Sequence, residues 1–429
     1  MNHGNMNRLE TARQRYIRKH GESSLLDLTN SHFGRAGIVP PEALYQAAFE
    51  RWRRFPEYRP SGRGGLALRE SIAAFMSRPG RTLAPDQVVA TAGSSVSYHL
   101  LFSRLTAAAA AATAPTTAAA MTTTHAGAPV VALPRPGYPL FEELAAGAGV
   151  TVVWYDTPPE SEFQPDPHEI KKVLAQGARA VVVISPGNPT GVVIDPAVLA
   201  QINGLCRQYD ALLIIDEVFD RFVPTHRPVS AGSKSGSETG SESDSALTVR
   251  LNGLSKAFAA PDIKLGWIVV AGGPRGAAES LLHDLDTIHD TFLTVSSFAE
   301  AAGPVFLTSA AGQDALKDIR RKVLERRRAM DGMLDDLPAL EDYRGTSAVG
   351  GIHRLLRIDP VTASSRFGTL DDESIAVALI ERVGVYVHPG YLYGTEDAFP
   401  ERGPWIVVTA LHTEKTVAAA RDRLHSVFG

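Results

Sequence analysis

Four short strings in this chain carry side chains that could act on a small molecule. Lys256 lies in Asn252-Gly253-Leu254-Ser255-Lys256-Ala257-Phe258, with Gly266-Trp267 beyond it. Asp216 ends the apolar run Leu212-Leu213-Ile214-Ile215, and Asn188 sits in Ser185-Pro186-Gly187-Asn188-Pro189-Thr190-Gly191. Gly93, Ser94 and Ser95 follow Val88-Val89-Ala90-Thr91. Each has a plain structural account when taken alone. A loop lysine is a solvated charge, an acid at a strand end caps the next helix, an asparagine among prolines and glycines makes a turn, and Gly-Ser-Ser caps a helix. Together they offer an amine for covalent chemistry, a carboxylate to hold a positive charge, an amide, and free N–H groups at a helix start that suit a phosphate.

Such groups need a framework that delivers them to one place. Short apolar runs rich in β-branched residues recur at 130–133, 150–154, 180–184, 212–215, 247–251 and 267–270. Runs apolar on both faces suit a parallel sheet covered by helices, and α/β sheets hold ligands at strand ends. The segment 88–97 reads as a further strand, a glycine turn and a helix start. A long amphipathic helix is expected over 317–334, with Ile319, Val323, Leu324 and Met330 on its apolar face and Arg326-Arg327-Arg328 as a solvated face. The Ala/Thr tract at 107–124 reads as a low-complexity insertion. The Ser/Gly-rich stretch 230–245 reads as a mobile surface loop, because it has too little apolar surface to offset its ordering entropy.

Composition narrows the function classes. The chain has 429 residues, enough for two domains, with 44% hydrophobic and 21% charged residues and a net charge of −4. That balance provides no basic field for nucleic acid or an anionic membrane. One cysteine excludes an intrachain disulfide and fits a reducing compartment. The first residues lack the plan of a signal peptide and no run is apolar enough to span a bilayer, so cytoplasm is the expected location.

In order along the chain, the Asn-Pro-x-Gly turn, the strand-ending aspartate and the Ser-Lys segment resemble the class I/II aminotransferase family. These are fold-type I enzymes that hold pyridoxal 5'-phosphate (PLP) as a Schiff base on a lysine. The resemblance implies an α/β fold with a mostly parallel seven-stranded sheet, helices on both of its faces, and a smaller α+β domain. It divides the chain into an arm and part of the small domain at 1–57, a large domain at 58–311 and the rest of the small domain at 312–429.

It also implies roles. Lys256, next to Ser255, is the Schiff-base residue and proton carrier, Asp216 pairs with the pyridine nitrogen, and Asn188 donates to the cofactor's 3-oxygen. Gly93, Ser94 and Ser95 hold the phosphate, and Tyr138 in Pro136-Gly137-Tyr138-Pro139 stacks on the ring. Tyr58, in a Tyr, Gly and Leu-Arg pattern, would reach the phosphate of a second copy, which makes the active unit a homodimer with active sites at the interface.

Three positions depart from the family pattern. Lys264 stands where an arginine usually holds the phosphate, keeping the charge and losing the fork. Phe219 stands where a tyrosine usually donates to the 3-oxygen, which predicts a raised Schiff-base pKa. Val407, in Trp405-Ile406-Val407-Val408-Thr409, stands where an arginine usually pairs with the substrate's α-carboxylate. Arg402, His412, His353, Arg354, His32 and Arg35 are the nearest substitutes, and a histidine there is more often structural. The expected activity is transamination of an amino-acid-like amine. Without the arginine, β-elimination or decarboxylating deamination of a bulky natural-product amino acid is the alternative, and a non-catalytic PLP-binding regulatory domain is the weakest reading.

Overall fold

The computed structural model describes residues 8–54, 60–113, 127–224, 245–343 and 347–429. A seven-stranded sheet forms its centre. Its strands lie in the spatial order Val88–Thr91, Gly266–Ala271, Thr248–Gly253, Leu212–Asp216, Ala178–Ile184, Val130–Arg135 and Thr151–Asp156. Gly266–Ala271 runs antiparallel to both neighbours, and all other pairings are parallel. The parallel strands are therefore joined by crossovers, and the helices of those crossovers cover the sheet.

Alternation along each strand sends successive side chains to opposite layers. Val182, Ile214 and Leu251 meet the helices Ser94–Thr113, Phe141–Ala148 and Ala277–Asp290. Val183, Leu213 and Ile215 meet Pro167–Ala175 and Pro196–Gln208. At the antiparallel edge Ala90, Trp267 and Val269 meet Leu66–Met76 and Ser297–Thr308. Ile214 and Ile215 have 0% and 1% of their surface exposed, each such burial contributing about 1.5–3 kcal/mol. Burial on both faces is why these runs are uninterrupted in the sequence.

A second, four-stranded antiparallel sheet has the order His388–Pro389, Trp405–Thr409, His353–Ile358, Leu340–Glu341. One face, with Leu356, Ile358, Ile406 and Val408, packs under Arg8–His20, Ala310–Asp335, Asp372–Val383 and Glu414–Phe428. The other face, with Leu355, Trp405 and Val407, meets Phe163 and Val192 of the large-sheet layer. The N-terminal segment is shared. Arg8–His20 packs against Asp372–Val383, whereas Glu42–Arg53 packs against Ser297–Thr308.

Four expectations need revision or fall outside the described residues. The tract at 107–124 is not an insertion from its start, because Ala107 to Thr113 continue the helix Ser94–Thr113; alanine is the best helix former. The rest of it, like 230–244 and Tyr58, lies outside the described residues. The arginine cluster is not a solvated face. Helix Ala310–Asp335 is 26 residues long, and Arg327 is buried at 2% exposure, donating to the carbonyls of Gly350 and Gly351. Arg326 donates to Leu411 O at 2.6 Å, leaving only Arg328 of the three exposed. Carbonyls in a buried turn need donors, and this helix supplies them.

Candidate active site

The site forms at the carboxyl ends of the parallel strands. Thr248–Gly253 ends at Gly253, and a single helical turn, Leu254–Ala257, carries Ser255 and Lys256. Any Cβ on Gly253 would come within 2.9 Å of Leu265 O. Glycine therefore permits the close crossing that places this turn, and Leu254 N binds Leu265 O at 2.9 Å. The neighbouring strand ends at Asp216, whose register partner is Leu251, so the acid and the lysine project from adjacent strand ends.

Asp216 is buried and accepts hydrogen bonds from Tyr98 Oη at 2.9 Å and Val218 N at 3.0 Å. Burial pushes its carboxyl up to about 6, against those two donors and against Lys256. Burial likewise lowers the Lys256 ammonium, and the charge of Asp216 opposes it. A lysine in this state releases its proton more readily and is a better nucleophile toward a carbonyl. Tyr98 was not singled out from the sequence, where a buried aromatic on the apolar face of Ser94–Thr113 reads as core. Its hydroxyl had no visible partner because Asp216 is remote along the chain.

The asparagine turn stands on the next strand. Ile184 pairs with Asp216, and Ser185 N donates to Asp216 O at 2.9 Å. Gly187 N binds Val192 O at 2.8 Å and Gly191 N binds Gly187 O at 2.9 Å, closing the turn. Within it the Oδ1 of Asn188 is buried and has no hydrogen-bond partner. That is the condition of a side chain whose partner is a ligand.

Gly93 (φ +123°) turns the chain from Val88–Thr91 into Ser94–Thr113. Thr91 Oγ1 fixes the turn by donating to Gly93 O at 3.1 Å. On the adjacent strand Gly266 lies so close that a Cβ there would sit 2.7 Å from Gly93 Cα and 3.0 Å from Ser94 N. A helix start, its free N–H groups and the hydroxyls of Ser94 and Ser95 make an anion cradle. The Tyr138 hydroxyl lies near Ser95 and within electrostatic reach of Asp216. Lys264 occupies a left-handed position (φ +55°) and is exposed, two residues before Gly266.

Phe219 is buried beneath the lysine, whose Nζ is 5.8 Å from the ring centre. The structure thus brings together Lys256, Ser255, Asp216, Asn188, Phe219, Tyr138, Gly93, Ser94 and Ser95, with Lys264 at the margin. The group expected there is PLP, and the residues fit it. A helix start with free N–H groups, a buried acid and a deprotonation-prone lysine match its phosphate, ring nitrogen and carbonyl, and among the described residues Asn188 Oδ1 lacks a protein partner.

The opposite wall differs from the expectation of a charged clamp. Val407 is 1% exposed and packs with Leu355, Phe163, Tyr393, Phe399 and Trp405. Most of the possible substitutes are engaged elsewhere. Arg354 is bound to Asp331 at 2.7 Å, Arg402 forms a surface ion pair with Glu160, and His412 Nε2 lies 3.1 Å from Thr409 Oγ1. His32 and Arg35 are exposed, and Arg35 N donates to His32 Nδ1 at 3.2 Å. His353 stays in the site, stacked edge-on against Phe219 at 5.6 Å.

Similarity to known proteins agrees with this geometry. The family model for aminotransferase class I and II matches residues 34–424. A valine–pyruvate aminotransferase from Mycobacterium tuberculosis is 30% identical over 373 residues, covering 86% of this chain and 84% of that protein. Capreomycidine synthase from Streptomyces vinaceus is 29% identical over 399 residues, covering 90% and 85%. The solved structure of an alanine aminotransferase from Pyrococcus furiosus superposes with a TM-score of 0.79 at 22% identity, covering 97% and 95%, which shows the same fold. The chain belongs to the aminotransferase class I and II family and is a PLP-dependent enzyme.

Proposed function

We propose that this protein moves an amino group from an amino-acid-like amine to an oxo acid, with Lys256 as the covalent and proton-carrying residue. The observation that carries this reading is the pairing of a burial-depressed lysine amine with a buried acid on the adjacent strand end. PLP, when bound, supplies a carbonyl that condenses with amines and a ring that accepts electrons.

The chain's own groups do the rest. Lys256 would hold the group covalently through its Nζ and, as a free amine, would move a proton at the substrate carbon. Asp216, held by Tyr98 and Val218, keeps a proton on the ring nitrogen. Asn188 would donate through its Nδ2 to the ring's oxygen, Tyr138 would cover the ring, and Gly93, Ser94 and Ser95 would hold the phosphate, with Lys264 adding charge. Phe219 packs without donating, so one hydrogen bond to that oxygen is missing. The working unit is a homodimer, as in the family this chain resembles, and the expected compartment is the cytoplasm.

A second reading, β-elimination or decarboxylating deamination, is favoured by one observation, the apolar Val407 where a carboxylate clamp would hold the substrate. A relative from Arabidopsis thaliana that is named as a lyase agrees with it. Borohydride treatment of the PLP-loaded protein should fix the cofactor on the peptide containing Lys256, and Lys256→Ala should abolish the adduct. Incubation with amino acids should then yield pyridoxamine phosphate. Ammonia or carbon dioxide released without it would replace transamination by the second reading.

A further inference from the structure

The wall around Val407 holds several side chains able to carry positive charge, and nearly all are committed. Arg354 is tied to Asp331, Arg327 to the carbonyls of Gly350 and Gly351, His412 to Thr409, and His388 Nδ1 to Tyr393 Oη at 3.1 Å. His353 differs. Only 7% of its surface is exposed, and its Nδ1 is buried with no hydrogen-bond partner.

The sheet register says where this ring lies. His353 pairs with Thr409 and Leu355 with Val407, while His388 pairs with Val407 from the other side. Directly paired residues and those two apart share a face, so His353 is the diagonal neighbour of Val407 on the face turned toward the large domain. The same Phe219 ring contacts both partners of the argument, His353 at 5.6 Å and Lys256 Nζ at 5.8 Å. An unspent imidazole therefore shares the Phe219 ring with the amine-handling atom and stands diagonally beside the position where the family's arginine is expected.

We propose that His353 recognises the acid group of the substrate by donating a ring N–H to a carboxylate oxygen, and so sets the preference for amino acids over plain amines. This rests on the transamination reading above. Among the described residues the ionisable groups facing the ring are Lys256, His388 and Arg354, none of them an acid; burial first, and then these charges, lower its pKa to about 3. It meets the carboxylate as a neutral donor, giving a single hydrogen bond in place of an arginine's two-pronged, fully charged grip. One such bond to a charged acceptor corresponds to a preference of roughly 10- to 100-fold.

The test compares 2-aminoisobutyrate, which has no α-proton to lose, with isopropylamine, its counterpart lacking the carboxylate. Binding of each to the PLP-loaded protein is followed through the cofactor's visible absorbance, which needs no turnover. The unaltered protein is expected to bind the acid about 10- to 100-fold tighter than the amine. In His353→Phe that ratio collapses toward one, with amine affinity unchanged and borohydride trapping on Lys256 intact. If the phenylalanine variant does not hold cofactor, His353→Leu decides, because leucine fills similar space without any N–H and the same collapse is expected. A ratio near one in the unaltered protein, or an undiminished ratio in either cofactor-loaded variant, overturns the proposal. Failure of trapping in the unaltered protein would instead remove the reading on which it rests.

Discussion

The two walls of the site are built by different rules. On the large-domain wall Asp216, Asn188, Lys256 and the Gly93 turn sit at the ends of neighbouring strands, where backbone pairing places them side by side. On the small-domain wall Val407 and His353 lie on the face of an antiparallel strand pair, where any side chain of suitable size can pack. Groups at strand ends meet a cofactor of constant shape, so few residue types serve there. A sheet face meets the variable part of a ligand and tolerates exchange of an arginine for a valine, provided buried polar groups elsewhere remain paired.

Three experiments can break or sharpen this contrast. The largest effect is expected at Arg327, which props the turn that leads into His353. Arg327→Met leaves two buried carbonyls short of a charged donor, and urea unfolding should show a loss of about 2–4 kcal/mol; a loss below about 1 kcal/mol would make the small-domain wall self-supporting.

Next comes Asp216, whose folded pKa of about 6 lies above its ordinary 3.8. A carboxyl shifted upward stabilises the cofactor-free fold fully below about pH 3.8 and loses that contribution as pH rises through about 6. Asp216→Asn should therefore raise the stability of the cofactor-free protein at pH 8, by up to about 3 kcal/mol, while weakening PLP binding. Melting curves with and without PLP check both signs, and a variant less stable in both states would show that the acid's hydrogen bonds outweigh its burial cost.

The smallest effect concerns Phe219. Phe219→Tyr restores a donor next to the lysine and should lower the pH at which the bound chromophore changes colour by roughly one unit. An unchanged titration would mean that residue 219 does not face the cofactor's oxygen.

Much of the large-domain wall could be read from the chain because its chemistry is local. Asn188, Asp216 and Lys256 each lie in a short string whose glycines and prolines set its turn, and the strand runs are buried on both faces. Tyr98 was hidden, since its hydroxyl meets Asp216 only after helix Ser94–Thr113 docks on the sheet. Arg326 and Arg327 depart from the expected solvated face for the same reason. Three successive arginines on an amphipathic helix look solvated until the turns they support fold against them.

His353 shows the boundary between the two kinds of information. As a string, Gly350-Gly351-Ile352-His353-Arg354 offers a histidine and an arginine with the arginine as the more natural anion partner. Tertiary packing reverses that order, turning Arg354 to Asp331 and leaving His353 against Phe219.

Sequence alone, through the resemblance its short strings carry, pointed to the family and the cofactor, and strand periodicity and turn chemistry, which act over a few neighbouring residues, marked the strand ends. Which acids are buried, which cations are already paired and which ring remains free to meet a substrate were decided only in the folded chain. Burial and hydrogen-bond pairing depend on residues brought together from distant parts of the sequence.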